Sequence, residues 1–346
     1  MTVLFRADAD DSQGAGHVMR SMALALRLKA SGFDVHLVAR HLPPTIREWL
    51  DWSGLPATEI DGTGPIVADE DVRSTRDVIS SLGDISHVLV DHYEIDAEWE
   101  TAVGKDVGHI WVIDDLAERS HRCEVLIDPG LHSESSVRYD GRVPDSAVRL
   151  LGPTFAFLRP EFDEPGHPRS GAVNRILVYL GGGDRVPVEL FKILEALDRP
   201  ECSAISTTVL LGPLSYASSL LTQIRSEFPT VDAIGTSTSV ASLMRDADLS
   251  IGTCGAANWE RCAVGLPALT VLTAENQRDD AVHLSERAVV RHLGDAQNLN
   301  VDDWVKEIIW SLSHPEEIAA MGERGRLLVP GWRTAGPIIE ELLRVG

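Results

Sequence analysis

The sequence predicts an α/β fold of two doubly wound, Rossmann-like domains facing a cleft. Three observations predict it. Short β-prone runs alternate with helix-patterned stretches along all 346 residues. Most of the runs are unbroken apolar stretches, as strands covered on both faces of a parallel sheet are. A proline-, glycine- and polar-rich segment, DEPGHPRSGAVN at 163–174, separates them into two sets. With 44% hydrophobic residues the chain has enough apolar side chains for two cores.

In the first set the strands fall at 3–6, 34–39 (DVHLVA), 87–91 (HVLVD), 109–113 (HIWVI) and 124–127 (EVLI). In the second they fall at 175–180 (RILVYL), 206–211 (STTVLL), 231–234, 248–251 (DLSI) and 268–272 (ALTVL). Helix-like stretches between them imply right-handed βαβ units. The first of these, Met19 to Lys29, has apolar residues at helical spacing. The expected domains are 1–162, a linker at 163–174, and 175–346, the last including a terminal helix from Thr334 to Val345. The acidic stretch 63–86 has no clear period and reads equally as a loop.

Composition narrows the function. The formal charge is −22, no basic run occurs and only 5% of residues are aromatic, which argues against a nucleic-acid partner. An anionic small ligand remains compatible, because backbone N–H groups and a few arginines can hold a phosphate locally. Cys123, Cys202, Cys254 and Cys262 lack metal-ligand spacing and read as reduced, packed thiols. No metal or other cofactor is expected. No signal peptide and no membrane-length apolar run is visible, so the expectation is a cytoplasmic protein without membrane insertion.

In such a fold the chemistry belongs to loops that follow strands. DSQGAGHVMR, 11–20, reads as a glycine loop opening a helix, with Gly14, Gly16 and His17 at the turn and Arg20 one turn on. The glycines either only shape the turn or admit a ligand to free N–H groups. The turn after 175–180 is Gly181-Gly182-Gly183-Asp184, which strips away Cβ atoms but matches neither G-x-G-x-x-G nor a P-loop. In SIGTCGAANWERCAVGLP, 250–267, a strand runs through Cys254 and Gly255 into a helix opening near Ala256. Glu260, one turn inside, suits the two hydroxyls of a ribose or is an ordinary solvated charge. Asn276 and Gln277, after strand 268–272, suit hydroxyl recognition or turn formation. Cys254 reads better as a packed thiol than as a nucleophile. No glycosidase-like pair of carboxylates is evident.

Taken together, G-x-G-H-x-x-R at 14–20, G-T-C-G-x-x-x-W-E-R-C-x-x-G-L-P at 252–267 and the downstream Asn276-Gln277 resemble the UDP-sugar hydrolases of pseudaminic acid biosynthesis. Asp91-His92-Tyr93, Ile113-Asp114-Asp115-Leu116-Ala117, Leu158-Arg159-Pro160-Glu161-Phe162 after Gly152-Pro153, and 175–184 match in order as well. The resemblance implies a GT-B architecture, shared with MurG-like glycosyltransferases. It implies a UDP-sugar as the small-molecule partner and release of a free 2,4-diacetamido-2,4,6-trideoxy sugar. It makes His17 the general base, an imidazole being suited to that task near neutral pH. Glu260 would hold the ribose, and Asn276 with Gln277 the sugar or diphosphate. The backbones of Gly182, Gly183 and Asp184 and of Cys254, Gly255 and Ala256 would hold the phosphates, and Tyr93 the sugar. Gly14 and Gly16 would let the sugar approach. Arg20 would either touch the ligand or pair with a carboxylate. The chain departs from the family's usual pattern at Gly183, at Ala256-Ala257-Asn258 and at Asp128-Pro129-Gly130. Glycosyl transfer to an acceptor is the alternative activity, and a nucleotide-sugar sensor the non-catalytic one.

Overall fold

The structure, a computed structural model, describes residues 1–9, 15–62, 64–132, 134–164, 166–181, 186–212, 217–237 and 239–345, with the backbone alone at Ala217 and Asn276. Two compact units form: Met1–Pro160 together with Gly331–Gly346, and Glu161–Pro330.

The first unit begins β1 (Thr2–Ala7), α1 (Gly16–Ala30), β2 (Asp34–Ala39), α2 (Pro44–Ser53), β3 (Ala57–Glu59) and α3 (Ala68–Leu82). It continues β4 (Ile85–Asp91), α4 (Ala97–Val103), β5 (His109–Ile113), β6 (Val125–Asp128) and β7 (Val148–Leu151). All strands pair in parallel, in the order β3-β2-β1-β4-β5-β6-β7. Val3 and Phe5 of β1 enter one core, whereas Leu4 enters the core on the other face with Val88, Val90 and Val112. Burial on both faces is why these strands are apolar without alternation.

The second unit repeats the plan with β8 (Arg175–Tyr179), α5 (Val186–Leu197), β9 (Ser206–Leu210), α6 (Ala217–Glu227), β10 (Asp232–Ile234) and α7 (Val240–Asp246). Then follow β11 (Leu249–Thr253), α8 (Ala257–Ala263), β12 (Ala268–Leu272), α9 (Arg278–Glu286), β13 (Arg291–Asp295), α10 (Val301–Ser313) and α11 (Pro315–Leu328). The sheet order is β10-β9-β8-β11-β12-β13. In each unit the winding reverses beside the first strand, at β1/β4 and at β8/β11. Crevices at such reversals are where doubly wound folds place ligands.

Three strands went unread in the sequence: β3, β7 and β13. All are sheet edges. An edge strand is covered less completely, so ATE, VRLL and RHLGD need no continuous apolar run. The patternless stretch 63–86 contains a helix, α3. Its inward face carries Asp71 and Thr75 besides Val78 and Ile79, which hides the apolar period. Asp69, Glu70 and Asp71 in its first turn complement the helix dipole.

The last helix, α12 (Trp332–Val345), corrects the expected domain division. Assigned from the sequence to the second domain, it returns to the first unit. Ala335, Ile339 and Leu343 enter the core with Leu24, Leu28 and Phe33. Ser31 Oγ donates to Glu340 Oε1 at 2.6 Å, and the guanidiniums of Arg27 and Arg344 lie over Trp332 and Phe33. An amphipathic helix carries no record of which groove receives it, so chain order misled. Ile339→Ala should destabilise by about 2–5 kcal/mol, the range for emptying a buried isoleucine site. Hydrogen exchange should locate the loss in α1 and β1, with β8 and β11 unchanged.

Candidate active site

Four strands of the first unit end in buried aspartates: Asp8 just beyond β1, Asp91 closing β4, Asp114 just beyond β5 and Asp128 closing β6. A buried carboxylate stays ionised only with charge or hydrogen bonds to replace water. Each of the four faces both an arginine and a histidine. Asp8 meets Arg6 at 2.5 Å and Arg40 at 2.9 Å, with His92 Nε2 at 3.2 Å. Asp114 meets Arg119 at 2.6 Å and His121 Nε2 at 3.8 Å. Asp128 meets His132 Nε2 at 3.3 Å and Arg138 at 3.6 Å.

Asp91 lies at the β1/β4 reversal and is fully buried. Its Oδ1 is 2.6 Å from His17 Nδ1 and accepts from Arg20 Nη2 at 2.7 Å. Its Oδ2 accepts from Arg20 Nε at 2.7 Å and from Ser21 Oγ at 3.3 Å. His17, Arg20 and Ser21 stand three and four residues apart, on one face of α1. Burial alone would raise the Asp91 carboxyl, but Arg20 and then His17 outweigh it and hold it at about 2. An ionised carboxylate accepts only, so the proton of the bond to His17 sits on Nδ1.

The other three histidines bond through Nδ1 and turn a buried Nε2 toward an aspartate without a hydrogen bond among the described residues. His92 Nδ1 accepts from the Glu94 amide at 3.0 Å while Nε2 faces Asp8. His121 Nδ1 lies 2.7 Å from Glu100 while Nε2 faces Asp114. His132 Nδ1 meets Arg138 at 2.9 Å while Nε2 faces Asp128. Among the described residues nothing bonds His17 Nε2. Tyr93 sets its ring edge against the His17 imidazole, centroids 4.3 Å apart. A Cβ at Gly16 would meet nothing within 4 Å among the described residues. Gly14 lies outside the described residues.

Of the two readings open for Arg20, the structure displays carboxylate pairing. Nε and Nη2 go to Asp91, and Nη1 donates to Asp115 Oδ2 at 2.7 Å. Asp91 and Asp115 were passed over as site residues. The signal was present: LFRAD, VLVD, WVIDD and VLID each run a strand straight into aspartate.

At the β8/β11 reversal the second unit presents backbone and few side chains. Gly181 has φ +75°, a conformation that favours glycine. Gly182, Gly183 and Asp184 lie outside the described residues. Thr253 Oγ1 donates to the Leu180 carbonyl at 3.2 Å, tying the two turns together. A Cβ at Gly252 would come within 2.5 Å of the Tyr179 carbonyl oxygen. Beneath this turn Arg261 donates to the Thr253 carbonyl and, at 2.9 Å, to Asn258 Oδ1, while its Nε and Nη1 are buried without a hydrogen-bond partner among the described residues.

Cys254 turns its thiol into an apolar cluster with Leu272 and Ala281, and burial pushes that thiol above its ordinary value. Its Sγ lies 3.9 Å from His292 Nδ1. Gly255 is half-buried and Ala256 exposed, and a Cβ on Gly255 would lie 3.6 Å from Gln277 Nε2. Gln277 Oε1 accepts from the Thr273 amide at 3.4 Å. Glu260 is half-buried in the first turn of α8. Asn276 belongs to a 3-10 turn, Glu275–Gln277, and its side chain lies outside the described residues. Among the described residues no group of three or more His, Cys, Asp and Glu is placed to hold a metal, and no helix is long and apolar enough to cross a membrane.

Asp114 and Glu100 raise the His121 imidazole to about 9, although burial alone would lower it. Raised in the fold, this group adds stability that is complete below the unfolded value near 6.5 and disappears as pH climbs through about 9. Denaturant unfolding should register a loss on the order of 3 kcal/mol across that window. His121→Gln should flatten that slope.

No known family profile matches the sequence. Two curated proteins are similar to it. The UDP-2,4-diacetamido-2,4,6-trideoxy-beta-L-altropyranose hydrolase of Campylobacter jejuni subsp. jejuni is 23% identical over 210 residues, covering 60% of this chain and 70% of that protein. The spore coat polysaccharide biosynthesis protein SpsG of Bacillus subtilis is 25% identical over 184 residues, 52% of this chain and 54% of that protein, so the match spans about half of the Bacillus protein. Among solved structures, MurG of Acinetobacter baumannii superposes with TM-score 0.62 at 15% identity, over 100% of this chain and 99% of that one. The spinosyn forosaminyltransferase SpnP gives 0.64 at 16%, over 99% of each. The glycosyltransferase VinC, in complex with dTDP, gives 0.62 at 15%, over 100% of each. At these identities the likeness establishes the fold, and that fold is the GT-B class of two Rossmann-like units.

Proposed function

We propose that the protein is an enzyme acting on nucleotide sugars, and that it hydrolyses a UDP-linked 2,4-diacetamido-2,4,6-trideoxy sugar to UDP and free sugar. The observation that carries the reading is His17. Its Nδ1 is tethered to the buried Asp91 and its Nε2 meets no described residue, whereas the Nε2 atoms of His92, His121 and His132 are buried and turned toward an aspartate. That arrangement suits a general base. Water attacks the anomeric carbon, its proton passes to His17 Nε2, and the carbon–oxygen bond to UDP breaks with the electron pair leaving on the diphosphate. UDP is a stable leaving anion, so the step needs no second carboxylate acid.

In this reading Tyr93 and Gly16, with Gly14, receive the sugar. In the second unit the backbones of 182–184 and 254–258 take the diphosphate, Glu260 the ribose, and Asn276 with Gln277 the sugar or diphosphate. The Campylobacter relative's activity supports this choice. Transfer to an acceptor instead of water is the second reading. It draws support from the glycosyltransferases of the same fold and from the polysaccharide role named for the Bacillus relative.

The test is incubation with the UDP-diacetamido-trideoxyaltrose, without acceptor, followed by NMR. Release of UDP and free sugar supports hydrolysis. UDP binding without release moves the assignment to transfer or to another sugar. His17→Ala should lower turnover by about 10²–10⁴-fold, the usual contribution of a positioned base, with UDP affinity near wild type. Loss of UDP binding in that variant would refute the base assignment. Glu260→Ala should do the reverse, weakening UDP with a smaller change in kcat.

A further inference from the structure

We propose that Arg20 is a positioning residue that fixes the Asp91 carboxylate against His17 and opposes a second proton on its imidazole, and that Asp115 tempers it. The role rests on the reading of His17 as general base. Arg20 grips Asp91 through Nε and Nη2 at 2.7 Å each, and Nη2 stands 3.3 Å from His17 Nδ1. One cation therefore lies beside both members of the His17–Asp91 pair. An unneutralised, buried carboxylate draws a proton onto a neighbouring imidazole and holds it there, removing the base. A guanidinium on both carboxylate oxygens offsets that pull and, by its own charge, opposes an imidazolium. It also locks the carboxylate plane, so Nδ1 retains its hydrogen.

The molecule contains its own comparison. His121 also meets buried carboxylates, Glu100 and Asp114, but Arg119 pairs with Asp114, and no arginine side chain is recorded on Glu100 among the described residues. There the carboxylates prevail and the imidazole is driven to about 9, protonated at neutral pH and useless as a base. Among the described residues His17 meets one carboxylate, Asp91, held by one arginine. The remaining described groups facing His17 are His92, stacked with centroids 6.4 Å apart and directed to Asp8, and Tyr93 at its edge. Asp115 acts through Arg20 Nη1, at 2.7 Å. Removing it leaves more of the guanidinium's charge to act on His17, so the two substitutions should push in opposite directions.

The experiment is a pH titration of the ¹⁵N-labelled full-length protein, following the imidazole nitrogens across about pH 5 to 9, with His17 assigned from His17→Gln. In Arg20→Met the titration midpoint of His17 should rise by about one pH unit, a tenfold change in proton affinity of the size that a lost neighbouring charge produces. In Asp115→Asn it should fall by a smaller amount. Arg20→Lys keeps the charge and loses the two-pronged grip, so its midpoint should stay near wild type while kcat drops. With UDP-sugar, the acid limb of kcat/KM should move with each midpoint. Unchanged midpoints in both Arg20→Met and Asp115→Asn would overturn the proposal and leave Arg20 a packing residue. A raised KM with an unmoved acid limb would overturn it in favour of ligand contact. If Arg20→Met fails to fold, Asp115→Asn decides, because Asp115 meets Arg20 from the partly exposed side. The titration needs no turnover, so failure of the UDP-sugar reading would leave it intact.

Discussion

A carboxylate closed off from water at the end of a parallel strand is the constraint on which the first unit is organised. Asp91 sits where the winding reverses, with β1 on one side and β5 on the other. It cannot remain ionised there without compensation, and among the described residues α1 supplies it from one face: His17, Arg20 and Ser21. Those three contacts fix the rotation of α1 over the sheet at its first turn. Toward its last turn, Arg27 donates to the carbonyl of Leu158 at 3.0 Å, and Leu24 and Leu28 share a core with α12. The electrostatic requirement of one side chain thus meets the packing requirement of the whole helix.

The same constraint recurs at Asp8, Asp114 and Asp128, and its repetition explains why the rim tolerates so many buried ionic groups. Arg6 is fully buried, yet Asp8 and Asp71 occupy both sides of its guanidinium, and Trp99 Nε1 donates to Asp71 at 2.9 Å. Removing either partner from such a network would strand a buried charge, which costs far more than the pair contributes. In three of the four aspartate–histidine sets Nε2 is the nitrogen turned toward the aspartate. In the fourth the aspartate takes Nδ1. What distinguishes His17 is therefore that its Nε2 points away from the buried carboxylate common to all four.

The second unit solves its reversal differently. The chain leaves β8 through Leu180 and Gly181 and β11 through Thr253 and Cys254, and the Thr253 carbonyl is braced from beneath by Arg261. Backbone groups held in tight turns suit a ligand whose recognition depends on oxygen-rich, evenly distributed charge. Side chains in a charged rim suit a reacting centre that exchanges a proton. The two units share one topology and differ in what their strand ends carry.

Much of this was determined by the sequence. Strands buried on both faces must be apolar throughout, so the central strands, the βαβ alternation and the placing of His17 at a strand-to-helix turn are legible residue by residue. Resemblance in the G-x-G-H-x-x-R and W-E-R-C stretches added an expectation of chemistry, though Gly14, 182–184 and the Asn276 side chain lie outside the described residues. Tertiary structure alone decided the rest. Edge strands such as β13 lack the pattern because nothing covers one of their sides completely. The α3 helix hides its period behind Asp71, which is apolar-facing only in company with Arg6 and Trp99. The groove that receives α12, and the arginine that Asp91 takes as its counter-charge, depend on residues far away in the chain. Local pattern records which groups must be buried or paired; the partner that satisfies each one is chosen only when the strands come together.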